Sequence, residues 1–250
     1  LWIGTGRSLD RYDPATGRFR HYQHVPGDTT SLSSHNINVL HTDRDSTLWV
    51  GTVDGLNRYD ARTDRFRRYT HSDSAGRDWI GYVLHDQQGR LWVATEQGVC
   101  QFDRARERFV RHFHHDSTDP ATLTKGRFGW IHERPREPGV LWLSSLDGGG
   151  LDRLDTETGT VTHYTTRTAG LPDNTIYAIL PGSDGTLWLS TNHGLVHFSP
   201  DATPPDRLVR HVGLESGLQS LEFNQHAAAH RNGQLYLGGV NGINAFRHRA

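Results

Sequence analysis

Trp79, Arg77, Arg127 and Asn36 are the residues whose types and placement point to ligand chemistry. An aromatic face covers the apolar CH patches of a sugar ring, while a guanidinium fork and a carboxamide pair with hydroxyls or an acid group. Arg77 precedes Trp79 by two residues, and both Trp79 and Arg127 fall where a neighbouring stretch has Asn36. Glu222 and Asn224 add two polar groups, with Asn224 read in the apolar slot that Ile37 fills elsewhere. A polar residue there either closes a hydrogen bond between structural units or meets a ligand. For all six residues, packing or a solvated loop is the competing explanation.

Other chemistries find less support. Seventeen histidines invite a metal site, and His112, His114 and His115 form the densest cluster. Alternation along a strand sends His112 and His114 to one face but supplies no third ligand at fixed spacing, so no metal and no cofactor is expected. His21, Arg68, His112, His163 and His211 recur near the end of an outer strand, where basic side chains discourage edge-to-edge pairing. Glycoside hydrolysis needs two facing carboxylates, and the acidic residues here sit mostly in repeated turns. Ser183-Asp184-Gly185-Thr186-Leu187-Trp188 is similar to a sialidase Asp-box, itself a structural turn. Propeller lyase chemistry would need a His/Glu set, for which His193 and Glu96 are the available pair. No phosphate-binding glycine loop or Ser-His-Asp order is present.

The elements that must hold these residues come from a repeat. LWIGT from Leu1, LWVGT from Leu48, LWVAT from Leu91, LWLSS from Leu141, LWLST from Leu187 and LYLGG from Leu235 are copies of one motif. Their spacing of about 43–50 residues, with short strand-like segments inside each copy, is the signature of a β-propeller. In the second copy Ile37 to His41 reads as strand A, Leu48 to Thr52 as B, Leu56 to Tyr59 as C and Phe66 to Tyr69 as D. Gly55, Gly98, Gly150, Gly194 and Gly242 precede strand C, as a turn with positive φ requires. Trp2, Trp49, Trp92, Trp142 and Trp188 share one strand-B position and are expected to pack between blades. Trp79 lies at the mouth of strand A and Trp130 within it. In a propeller, strand A lines the channel, so the mouth position is the better placed to meet a ligand.

The expected fold is an all-β, partial propeller spanning 1–250 as one domain, of about five and a half four-stranded antiparallel blades. The first copy begins at strand B and the last stops after strand C, so further blades are expected outside this stretch. Hydrophobic residues (34%) plus 27 glycines reach roughly 45% of the chain, enough for a core. A net charge of −1 provides no field for nucleic acid or an anionic membrane. One cysteine, Cys100, is read as excluding a disulfide framework and a structural zinc site, and it fits a reducing or an oxidising compartment. No stretch is long and apolar enough to insert in a membrane; any signal peptide or span is expected outside this sequence.

Several passages resemble the two-component regulator propeller repeats of bacterial membrane receptors. Gly27-Asp28-Thr29-Thr30-Ser31-Leu32-Ser33-Ser34-His35-Asn36-Ile37 is similar to the family's entry into strand A, and Gly170-Leu171-Pro172-Asp173-Asn174-Thr175-Ile176 is a second example. The Leu-Trp strands and Asp54 to Asp60 also fit. Leu221 to Asn224 with Gly233 to Gly242 resembles the blade that precedes an immunoglobulin-like domain in that family. The resemblance implies an extracytoplasmic, periplasmic sensor that binds a small molecule, here a carbohydrate or oligosaccharide, and controls a kinase or diguanylate cyclase encoded outside these residues. It implies partners in adjacent blades and a downstream immunoglobulin-like domain. A propeller enzyme and a protein-docking propeller are the alternatives.

Overall fold

The computed structural model describes residues 1–71, 78–182, 185–203 and 208–247. Each repeat forms one sheet with antiparallel neighbours. The first holds β1 (Trp2–Gly4), β2 (Leu9–Asp13) and β3 (Arg18–Tyr22). The second holds β4 (Ile37–Thr42), β5 (Leu48–Thr52), β6 (Gly55–Asp60) and β7 (Arg65–Tyr69). In the third are β8 (Ile80–His85), β9 (Leu91–Thr95), β10 (Gly98–Asp103) and β11 (Arg108–His114). The fourth comprises β12 (Phe128–Glu133), β13 (Val140–Ser145), β14 (Leu151–Asp155) and β15 (Val161–Tyr164). The fifth is β16 (Ile176–Pro181), β17 (Leu187–Thr191), β18 (Gly194–Phe198) and β19 (Leu208–Val212), and the sixth β20 (Phe223–Arg231), β21 (Gln234–Gly239) and β22 (Gly242–Arg247). This is an all-β propeller with six blades. The expected count of five and a half is corrected: the first and last sheets are blades in their own right, each with three strands among the described residues.

The chain divides into two compact units, Leu1–His85 with Gly89–His112, and Asp86–Gln88 with Phe113–Ala250. In the first unit β4 packs against β1 and β8, and β5 also reaches β8. Leu9, Ile37, Leu48, Val50 and Phe66 fill the space between the first two sheets. Trp49, Leu56, Ile80, Val83 and Phe102 fill the next. Trp49 is fully buried, its ring centroid 5.3 Å from that of Phe102, and its indole N–H donates to the Asp43 carboxylate at 2.9 Å. Trp49 is thus an inter-blade packing residue, with the acidic A-to-B turn as its hydrogen-bond acceptor.

The small residue after Leu-Trp-x has a matching cause. A Cβ on Gly51 would stand 2.6 Å from Ile80 Cγ2 and from Val39 Cγ1, so the next strand A can dock only on a residue without a large side chain. Gly4 meets Ile37 in the same way. In the second unit β16 packs against β12 and β20, and β12 also touches β20, so its A strands converge. Trp142 and Trp188 are buried there as Trp49 and Trp92 are in the first unit. The glycines before strand C have positive φ, from 88° at Gly150 to 147° at Gly98, as the turn reading requires. Among the described residues no helix is long and apolar enough to cross a membrane.

Candidate functional site

Register places Asn36, Trp79, Arg127, Thr175 and Glu222 at one equivalent position, directly ahead of β4, β8, β12, β16 and β20. The strand that follows each is constant in character, opening on buried Ile37, Ile80, Phe128, Ile176 and Phe223. The residue at the mouth is not: amide, indole, guanidinium, hydroxyl and carboxylate occupy it in turn. In the first unit Asn36 is exposed and Trp79 half-buried beside buried Asp78. Arg77 lies outside the described residues.

In the second unit Arg127 is clamped by Asp147 of the β13–β14 turn. Its backbone N–H donates to Oδ2 at 2.8 Å, and its Nη2 donates to Oδ1 at 2.7 Å. The clamp holds the Asp147 carboxyl below its usual range, with the Arg127 side-chain hydrogen bond the largest cause. Glu222 is exposed at its mouth position. Burial raises the Tyr177 phenol, with the charges of Glu222 and then Asp173 adding to it. Tyr177 donates to Asn192 Oδ1 at 2.5 Å. Tyr177 occupies a one-residue irregularity at the start of β16; Asn38, Gly81 and Gly129 hold the same place in β4, β8 and β12. Sequence alternation cannot locate such bulges, so Tyr177 was not among the expected residues; Asp147 and Asn192 lie in B-to-C turns, where no spacing marks their contacts with the strand-A mouth.

Asn224 requires a correction. Phe223, 2% exposed, takes the slot of Ile37, pairing with Gly239 as Ile37 pairs with Thr52. Asn224 is instead exposed within a register shift running from Phe223 to Ala228, wider than those of the other A strands, in which His226 takes φ 56°.

A second constellation lies on the outer hairpins. The residue after the first buried apolar side chain of strand C is Asp10, Asn57, Cys100 and Asp152 in the first four sheets, and on strand D it faces His21, Arg68, His112 and His163. Asp10 bonds the His21 ring at 2.8 Å. Asn57 Oδ1 accepts the Ser33 N–H at 2.8 Å, while Arg68 Nε donates to the Ser31 carbonyl at 2.7 Å. Asp152, fully buried, accepts the Thr124 N–H at 2.8 Å and contacts His163 Nδ1 at 2.6 Å, and His163 Nε2 reaches the Pro120 carbonyl at 3.0 Å. In the second and fourth sheets these groups therefore fasten the D-to-A connection to the outer hairpin, a role beyond guarding a strand edge.

The repeated turn carboxylates have structural partners. Asp13 and Asp60 each accept a backbone N–H two residues on and a threonine hydroxyl three residues on. These hydrogen bonds lower both carboxyls, and the same cause acts at Asp103 and Asp155. His193, in the β17–β18 turn, accepts the His211 ring at its carbonyl (2.6 Å), and Glu96 lies in the β9–β10 turn.

The family model for the two component regulator propeller matches residues 31–54 and 170–193, so two stretches of the chain are similar to that family's repeat. Both matches run from the D-to-A connection through the B-to-C turn, and thus include mouth positions 36 and 175. Among solved structures, the extracellular domain of a hybrid two component system from B. thetaiotaomicron is similar at 23% identity and TM-score 0.77, over 99% of this chain and 32% of that one. A second such extracellular domain from the same organism gives 20% identity and TM-score 0.77, over 99% of this chain and 34% of that one. Virginiamycin B lyase from Staphylococcus aureus gives 14% identity and TM-score 0.66, over 100% of this chain and 80% of that one. At these identities the likeness establishes the fold. The chain spans about a third of the two extracellular domains. No curated protein matches it.

Proposed function

We propose that this chain is part of the extracytoplasmic sensing propeller of a bacterial two-component receptor, and that it binds ligand without turning it over. The observation that carries this reading is chemical variety on a constant scaffold: within family-type repeats, the mouth residue changes blade by blade while its supporting strand does not. A scaffold role alone would favour one side chain there, as it does for the strand-B tryptophan. Trp79 in the first unit offers an aromatic face and Arg127 in the second, paired with Asp147, a guanidinium; each by itself favours a carbohydrate or a sugar acid. The periplasm is the compartment this role requires. Adjacent blades and a downstream immunoglobulin-like domain would be its partners in the parent protein, with a kinase or cyclase as output.

The test is titration of wild-type, Trp79→Ala and Arg127→Ala proteins with an oligosaccharide panel, alongside melting curves. Each substitution should weaken binding by roughly 5- to 150-fold, equivalent to about 1–3 kcal/mol, with little change in melting temperature. Trp49→Ala should instead destabilise the fold by about 3–5 kcal/mol, because it empties a packed slot. Unchanged binding in both mouth variants, or turnover of the bound sugar, would overturn the reading.

A further inference from the structure

The third blade breaks the pattern of its neighbours at the outer hairpin. Where the first, second and fourth blades place a carboxylate or amide, it places Cys100, and the facing residue on β11 is His112. Cys100 Sγ lies 3.4 Å from His112 Nδ1. A third soft donor arrives from the connection ahead of the blade. His24 and His115, two residues past Tyr22 and Phe113, close their own connections by bonding the carbonyls of Leu32 and Leu123 at 2.8 Å. His71 holds the same place after Tyr69, but its connection is shorter, from Tyr69 to Ile80 against Tyr22 to Ile37 and Phe113 to Phe128. Its ring is turned to the outer hairpin, 5.0 Å from the ring of His112.

We propose that His71, Cys100 and His112 form a site for a borderline-soft divalent ion of the zinc class. One donor atom from each lies within 4.8 Å of the others. Nitrogen and sulfur ligands of a tetrahedral zinc ion sit about 3.3–3.7 Å apart, so closure by about 1 Å completes the set. Two imidazoles and one thiolate suit zinc rather than magnesium or calcium, which take oxygen ligands. Asp78, buried, accepts the His71 backbone N–H at 2.8 Å and stands 3.7 Å from His71 Nδ1, an opposite charge beside the ring. Cys100 is 2% exposed while His112 is solvent-exposed, so an ion enters over His112 and is held against a buried sulfur. Binding exchanges the thiol proton for the ion, and the proton leaves to solvent.

Cobalt(II) added to the full chain reads this out directly. Cys100 is the only cysteine, so a thiolate-to-cobalt absorption band in the near ultraviolet can arise from no other residue. The expected result is that band, with intense four-coordinate visible bands, displaced by zinc; zinc should also raise the melting temperature in proportion to its saturation. Cys100→Ser should abolish the band, and His71→Gln and His112→Gln should each weaken cobalt binding by at least about tenfold. Because His112 is exposed, its variant keeps the test valid should the buried Cys100→Ser fold poorly. Cobalt binding without a thiolate band, or affinity unchanged in both histidine variants, would show adventitious histidine binding and overturn the site.

Discussion

The outer hairpins of the third and fourth blades place their groups alike and fill them with different chemistry. In the fourth, Asp152 is fully buried and its two oxygens are taken by Thr124 and His163, while the other nitrogen of His163 reaches Pro120. Every group has a partner from the chain itself, and the result is a closed fastening for the connection ahead of β12. In the third, Cys100 and His112 meet each other and His71, three donors that a cation could draw together. A repeated fold thus supplies the position, and one exchange of oxygen for sulfur together with a shortened connection changes what the position can do.

The comparison breaks most readily in the fourth blade. Asp152→Ala leaves the Thr124 N–H and the His163 ring without their buried acceptor, and should cost about 3–5 kcal/mol in urea or thermal unfolding. Cys100→Ala in metal-free buffer removes a small apolar side chain and one weak hydrogen bond, and should cost about 1 kcal/mol. Equal losses would mean that both hairpins are fastenings of the same kind.

A smaller effect sharpens the contrast through pH. The hydrogen bond from Asp152, the largest cause, raises the His163 imidazole above its ordinary value of 6.5. A raised folded-state value means that protonated His163 favours folding. That contribution is complete below the unfolded imidazole value and is lost as pH rises through the folded one. Melting temperature should therefore fall on raising pH across the range just above 6.5, and His163→Gln should flatten that slope. A slope unaltered by His163→Gln would assign the dependence to another group.

Much of the fold was legible because it rests on local, repeated chemistry. The Leu-Trp strands, the glycine ahead of strand C and the acidic C-to-D turns each satisfy a need met within one blade or its neighbour. The mouth positions of Asn36, Trp79 and Arg127 followed from the same alignment, whereas Glu222 reaches its mouth position only because Phe223, not Asn224, fills the Ile37 slot. Asn224 was misplaced because the widened bulge between Phe223 and Ala228 shifts a register that alternation assumes to be even. The third outer hairpin was hidden for a different reason. Spacing along one strand shows that His112 and His114 share a face, but Cys100 reaches His112 across a ladder and His71 arrives from a connection whose path no periodicity encodes.

The docking of β4 and β8 on a glycine of the preceding B strand bears on the order of folding. Strands within a blade are joined by short turns, so a blade can form its hydrogen bonds from sequence-local contacts, which are quick to close. Ile37 on Gly4 and Ile80 on Gly51 are instead contacts between blades. They couple each blade of the first unit to its neighbour alone, the nearest-neighbour arrangement in which folding nucleates in one repeat and spreads to the next. A methyl group at Gly51 would strike Val39 of its own blade and Ile80 of the next, so it should hinder both the pairing of β4 with β5 and the joining of the second and third blades.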